Sequence, residues 1–170
     1  MTFLNAIPFD HLLWLVPVFL TIHNMEEAPF MESWSKRLPI KLPLQITTRQ
    51  FVIAVTVITI AGFILTYLGV EYLANQTGYL IVLGIQAIML CNAVIPHIAM
   101  TIRFRMYSPG VVTAILLMIP FSFYLFQRAF QEKILNWNQF WIMLVISPFA
   151  VAIIALLSLK LGKAFDKPSA

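Results

Sequence analysis

The sequence contains only one cysteine, Cys91, so no disulfide can form within the chain and no C-x-x-C metal or redox motif is present. Charged residues are also scarce, at 11% of the chain, whereas 61% of the residues are hydrophobic. The mean hydropathy of +0.88 lies far from that of a soluble domain. We therefore exclude an aqueous globular fold and expect no nucleic-acid partner, despite the net charge of +4.

Several hydrolase motifs are absent as well. There is no H-E-x-x-H zinc pattern, no G-x-S-x-G nucleophile elbow and no glycine-rich phosphate loop. Glu26-Glu27 begins like the E-E-x-x-x-R pattern of prenyl-protein peptidases, but Met31 occupies the arginine position. Peptidase activity of these kinds is therefore disfavoured.

Five long apolar segments predict an all-α, polytopic membrane protein, a bundle of five transmembrane helices forming one domain over residues 1–170. The predicted spans cover about 9–30, 50–72, 78–102, 109–126 and 140–161. Each approaches or exceeds the roughly 20 residues that cross a hydrocarbon core. Little of the chain is then left for a domain outside the membrane.

The basic residues divide unevenly between the loops that join these spans. On one side lie the first loop, the third loop and the C-terminus, with Lys36, Arg37, Lys41, Arg49, Arg103, Arg105, Lys160, Lys163 and Lys167. Only Arg128 and Lys133 fall on the other side. The positive-inside rule therefore predicts an N-terminus outside and a C-terminus in the cytoplasm.

Ionisable residues are nevertheless present inside the first predicted span. His23, Glu26 and Glu27 occupy positions i, i+3 and i+4, so they share one face of a helix. Ionisable groups at membrane depth are costly and usually mark a substrate, ion or proton site. In the third span, His97 is expected at a similar depth, near the cytoplasmic end.

The order His23-x-x-Glu26-Glu27 is similar to the inverted zincin pattern H-x-x-E-H, with Glu27 at the position of the second ligand. His23, Glu27 and His97 would bind a divalent metal, zinc first and iron or manganese as alternatives. Glu26 is predicted to be catalytic, as the general base that takes a proton from metal-bound water. Alternatively, the histidines only hydrogen-bond across helices and the glutamates pair with basic residues near the headgroups.

Two further polar residues of the third span, Gln86 and Asn92, are predicted to support this site. In a straight helix, however, Asn92 and His97 are five positions apart and point in different directions. Pro96 would allow their joint use if it distorts the helix. Without that distortion, the two residues need different partners.

Arg103, Arg105 and Tyr107 follow the third span, and we predict that they bind a lipid headgroup beside the site. Positive-inside anchoring by the two arginines is an equal alternative. Ser108-Pro109-Gly110 predicts a tight turn that opens the next helix.

The segment His23-Asn24-Met25-Glu26-Glu27, with Asn92 to His97 and Tyr107-Ser108-Pro109-Gly110 before an apolar helix, resembles the HXXEE-motif family of small bacterial and archaeal membrane proteins. The resemblance covers most of the chain. That family is functionally uncharacterised, so the resemblance implies no reaction. It implies that five residues are important, namely His23, Glu26, Glu27, Asn92 and His97. It also implies a multi-pass protein of a prokaryotic cytoplasmic membrane.

Three hypotheses about function remain. The first is an intramembrane, metal-dependent, hydrolase-like enzyme that acts on a lipid-like substrate from the cytoplasmic side. The second is a metal-independent acid–base isomerase or cyclase of a sterol-like or polyprenyl lipid. The third is a proton or metal-ion transporter or an ion-binding protein, although no inverted repeat is evident. The expected partners are membrane lipids and the substrate, with homo-oligomerisation left open.

Overall fold

The computed structural model describes residues 6–40 and 46–165. Within these ranges the chain is helical and contains no strand, which confirms the all-α prediction. The helices are α1 Phe9–Leu13, α2 Leu15–Glu27, α3 Met31–Arg37, α4 Thr48–Leu73, α5 Gln76–Phe104, α6 Val111–Gln131 and α7 Trp137–Phe165.

Four of these helices, α4 to α7, are long and apolar enough to cross a membrane. The prediction of five such helices is wrong for the described residues, because the first predicted span, 9–30, is divided into α1 and α2. These helices contain 5 and 13 residues. Both are shorter than the roughly 20 residues that a single spanning helix needs.

Pro17 accounts for the division of this segment. Its ring nitrogen has no hydrogen to donate to the carbonyl of Leu13, four residues earlier. The helix is interrupted at Trp14, whose backbone N–H donates instead to the carbonyl of His11 at 3.3 Å. At the other end, α2 stops at Glu27 and a turn over 28–30 leads into α3.

Although they are short, α1 and α2 lie in the core of the bundle and contact both of its ends. At one end, Arg128 near the end of α6 donates a hydrogen bond to the carbonyl of Ile7 at 3.2 Å. At the other end, Glu26 accepts hydrogen bonds from the first turn of α6. Their most deeply buried apolar residues are Leu12, Leu13, Val16 and Pro17.

The helix α5 contains a π-helical segment, Ala93–Ala99, in its second half. Pro96 explains its position, because proline cannot donate to the carbonyl of Asn92 four residues earlier. A π-helix pairs residues five apart instead of four. The distortion therefore turns Asn92 and His97 toward the same side of α5.

Candidate metal centre

Three buried polar side chains from α2 and α5 meet beneath the turn between α5 and α6. They are His23, Glu27 and His97, which are 1%, 7% and 3% exposed. Nε2 of His23 lies 3.1 Å from Nε2 of His97. The Glu27 carboxylate lies 3.4 Å from Nε2 of His97 through Oε1 and 3.8 Å from Nε2 of His23 through Oε2. The structure thus brings together the three side chains that the sequence predicts as ligands.

These separations suit a tetrahedral metal site. Bonds of about 2.0–2.2 Å at tetrahedral angles place two ligand atoms roughly 3.3–3.6 Å apart. The observed distances of 3.1, 3.4 and 3.8 Å bracket that range. Among residues 6–40 and 46–165, no other group of three or more His, Cys, Asp or Glu side chains converges in this way. The donor set fits zinc, and also iron or manganese.

Asn92 lies beside the two histidines, as the π-helical segment allows. Its Nδ2 is 2.9 Å from Nε2 of His97 and 3.4 Å from Nε2 of His23. Gln86 is placed elsewhere, because it lies six residues earlier, about 9 Å along the helix. It is fully buried and its Nε2 donates to Oγ of Ser122 at 2.6 Å.

Gly110 closes the site from the turn between α5 and α6. Its φ of +87° lies in the left-handed region that glycine adopts without strain. A Cβ atom at this position would lie 2.6 Å from Cε1 of His23, and 2.9 Å from both Cγ of Glu27 and Cε1 of His97. Only glycine therefore lets the backbone lie directly against all three candidate ligands.

Glu26 engages the first turn of α6. Its carboxylate accepts hydrogen bonds from the hydroxyl of Tyr107 at 2.6 Å, from the N–H groups of Val112 at 3.1 Å and Thr113 at 2.7 Å, and from the hydroxyl of Thr113 at 2.6 Å. Unpaired N–H groups at a helix N-terminus favour a negative charge. Both carboxylate oxygens are occupied, and the role of Glu26 as a general base stays a prediction.

The residues predicted to bind a headgroup lie at the end of α5. Arg103 and Arg105 are exposed, and Arg105, with a φ of 50°, directly follows the last residue of the helix. The pKa of Tyr107 is raised to about 12, mainly by desolvation of the hydroxyl and secondly by its hydrogen bond to Glu26. The Tyr107 ring lies edge-on to that of Phe30, with 6.3 Å between centroids. The two arginines are thus accessible, whereas the Tyr107 hydroxyl is already bonded.

Three residues at or near the site were not predicted from the sequence to take part in it. Gly110 was assigned only to a turn, and Thr113 lies in an apolar segment with no motif of its own. Asn24 joins α2 to α4, since its Nδ2 donates to Oγ1 of Thr59 at 2.8 Å and to the carbonyl of Val55 at 3.4 Å. An amide in an apolar helix is a signal that could have identified Asn24.

Comparisons with known proteins found a matching family model and a similar protein. A family model described as "Protein of unknown function with HXXEE motif" matches residues 14–125, a range that includes every candidate ligand. The protein YrkK of Bacillus subtilis (strain 168), itself described as uncharacterized, is 31% identical over 138 residues, which cover 81% of this chain and 84% of YrkK. No solved structure matches the chain significantly.

Proposed function

The chain belongs to the HXXEE-motif family, which is described as being of unknown function, and we propose that it is an intramembrane, metal-dependent, hydrolase-like enzyme with a lipid-like substrate. The observation that carries this proposal is the convergence of His23, Glu27 and His97 within a bundle of apolar helices. Polar groups buried so closely together exceed what helix packing requires.

In this proposal the metal is held by Nε2 of His23, Nε2 of His97 and the carboxylate of Glu27. A divalent metal bound there would act as a Lewis acid and activate water for hydrolysis. Three protein ligands with a free fourth position are typical of catalytic zinc sites. Gly110 lies directly against the ligands, and all three are buried, which strengthens their electrostatic interactions.

The two adjacent glutamates would have different roles. Glu27 faces the histidines and would bind the metal, whereas Glu26 accepts four hydrogen bonds from the turn and first residues of α6. For Glu26 to act as a base as well, it must exchange at least one of these hydrogen bonds for a proton of the reacting water.

A lipid-like substrate suits the surface beside the site. Met25 and Phe30, on α2 and in the turn after it, are 70% and 49% exposed and offer apolar contacts for a hydrocarbon chain. Arg103 and Arg105 are exposed at the same end of the bundle. Their guanidinium groups would bind an anionic headgroup.

The proposal includes a topology in which α1 and α2 together cross the membrane as a broken fifth span. Their contacts with both ends of the bundle support it, because Arg128 bonds to the carbonyl of Ile7 at one end and Glu26 bonds to the start of α6 at the other. The basic residues at the same end as the site are Lys36, Arg37, Arg49, Arg103, Arg105, Lys160 and Lys163, while Lys41 and Lys167 lie outside the described residues. By the positive-inside rule, this end and the C-terminus would face the cytoplasm. The membrane in this proposal is a prokaryotic cytoplasmic membrane.

Metal analysis of the purified protein tests the proposal. We expect close to one equivalent of zinc, manganese or iron, and its loss in His23→Ala and His97→Ala. His11→Ala is the matched control, because His11 is the remaining histidine, lies exposed in α1 and should not affect metal content. Lipid extracts incubated with the protein should show a new hydrolysis product by mass spectrometry. Metal-free wild type whose conversion persists in chelator would exclude the metal-dependent enzyme.

One observation also favours a metal-independent isomerase or cyclase. The distance of 3.1 Å between the two Nε2 atoms is a hydrogen-bond distance, so a proton instead of a metal would satisfy the pair. Chelator-resistant rearrangement of a sterol-like or polyprenyl lipid, lost in Glu27→Gln, would identify this activity. Flux of protons or metal ions into proteoliposomes without lipid conversion would identify a transporter instead.

A further inference from the structure

Thr113, in the first turn of α6, connects a candidate metal ligand to Glu26. Its hydroxyl Oγ1 lies 2.8 Å from Nδ1 of His23 and 2.6 Å from Oε2 of Glu26. Its backbone N–H donates to the same carboxylate oxygen at 2.7 Å. Glu26 therefore bonds to both the hydroxyl and the backbone N–H of Thr113, while the same hydroxyl contacts Nδ1 of His23.

The direction of these hydrogen bonds follows from the number of protons available. A threonine hydroxyl has one proton to donate, and a carboxylate is a stronger acceptor than an imidazole nitrogen or the carbonyl of Gly110, which lies farther away at 3.2 Å. The hydroxyl thus donates to Glu26 and accepts from His23. Nδ1 of His23 must then carry the proton, and Nε2 has a lone pair that faces Glu27 and His97.

We propose that Thr113 is a positioning residue that selects the Nδ1–H tautomer of His23 and directs its Nε2 lone pair toward the metal, and that Glu26 acts through Thr113. This inference rests on the metal site of the proposed function and names the contact that orients one of its ligands. Histidine ligands generally have such a partner on the other ring nitrogen.

The two histidines differ in this respect. No side chain among the described residues makes a hydrogen bond to Nδ1 of His97, which is buried. Removing the Thr113 hydroxyl should therefore disturb one ligand and leave the other in place. We expect weaker metal binding rather than its abolition, by about 10- to 100-fold.

Thr113→Val and Thr113→Ser separate the hydroxyl from the packing of the residue. Valine retains the volume and the backbone N–H but has no hydroxyl, whereas serine keeps the hydroxyl. We expect Thr113→Val to weaken metal affinity in chelator competition and to change the visible spectrum of the cobalt-substituted protein. Thr113→Ser should restore both toward wild type. Thr66→Val is the matched control, because Thr66 is fully buried and its hydroxyl has no partner among the described residues.

Nitrogen NMR of the histidine rings in metal-free protein tests the same inference without any bound metal. Wild type should show a protonated Nδ1 and an unprotonated Nε2 for His23, whereas Thr113→Val should show a mixture of tautomers. A protonated Nε2 in wild type would overturn the inference, even if Thr113→Val does not fold. Metal affinity unchanged in Thr113→Val would also overturn it. If wild type binds no metal but His23 has the expected tautomer, the proposed function fails, whereas the selection of the His23 tautomer by Thr113 stands.

Discussion

Asn92 and His97 are five residues apart in α5, yet Nδ2 of Asn92 lies 2.9 Å from Nε2 of His97. In a regular α-helix, five residues rotate a side chain about 140° away from the first position. In the π-helical segment Ala93–Ala99, the same five residues return to within roughly 50° of it. Pro96 thus determines which polar side chains of α5 meet, because it removes the N–H group that would bond to the carbonyl of Asn92.

Pro96→Ala is predicted to weaken the candidate metal site. The new N–H group can bond to the Asn92 carbonyl, which favours a regular α-helix and turns His97 away from Asn92. Metal affinity, measured by chelator competition, should fall by about tenfold or more. Pro148→Ala is the control, since Pro148 also lies inside a helix but is exposed on α7. An affinity unchanged by Pro96→Ala would contradict the role given to the π-helical segment.

Gly110→Ala is predicted to disrupt the same site from the turn. The added Cβ atom would lie within 3 Å of His23, Glu27 and His97, and the φ of +87° would strain an alanine. We expect loss of bound metal and a free energy of unfolding lowered by about 1–3 kcal/mol. Both are measurable in detergent, by metal analysis and by chemical unfolding.

Gly84→Ala provides the control for this substitution. A Cβ atom at Gly84, in the first half of α5, would meet no atom within 4 Å. Alanine favours the helix by about 0.5–1 kcal/mol over glycine, so this variant should be at least as stable as wild type and should retain its metal. If the Gly110→Ala variant behaved in the same way, the close approach of Gly110 to the ligands would be wrong.

The broken fifth span predicts which residues face outside. With Cys91→Ser as the background, Ala6→Cys and Lys133→Cys should both react with a membrane-impermeant reagent added outside intact cells. Arg105→Cys should react only after the membrane is opened, because it lies at the opposite end of the bundle. If Ala6→Cys behaves like Arg105→Cys instead, α1 and α2 do not cross the membrane, and the bundle has four spans with both termini on one side.

The long helices were predictable because an apolar run of sufficient length has one stable arrangement in a membrane. The predicted spans 50–72, 78–102, 109–126 and 140–161 correspond to α4 to α7, with ends that differ by a few residues. The prediction of one continuous helix over 9–30 was wrong, because it was based on the length of the apolar segment alone. Pro17 removes one backbone hydrogen bond, and this loss divides the helix although the surrounding side chains are apolar.

The candidate ligands were predictable for a related reason. His23, Glu27 and His97 stand out because ionisable groups are rare in apolar helices, and a spacing of four residues puts the first two on one face. Thr113 and Gly110 carry no such signal, since threonine and glycine are common in membrane helices and turns. Glu26 shares the helical face of His23, but the sequence does not show that the start of α6 is close enough to bond to it.

By itself, the sequence determined the all-helical architecture, the four long apolar helices and the polar residues that an apolar setting makes costly. These features depend on local composition and on the periodicity of one helix. Only the tertiary structure decided that Glu26 bonds to α6, that Thr113 contacts His23 and that Gly110 lies against all three candidate ligands. Apart from Gly110 and His97, these contacts join residues about 80–90 positions apart, and such pairs meet only through the packing of helices against one another.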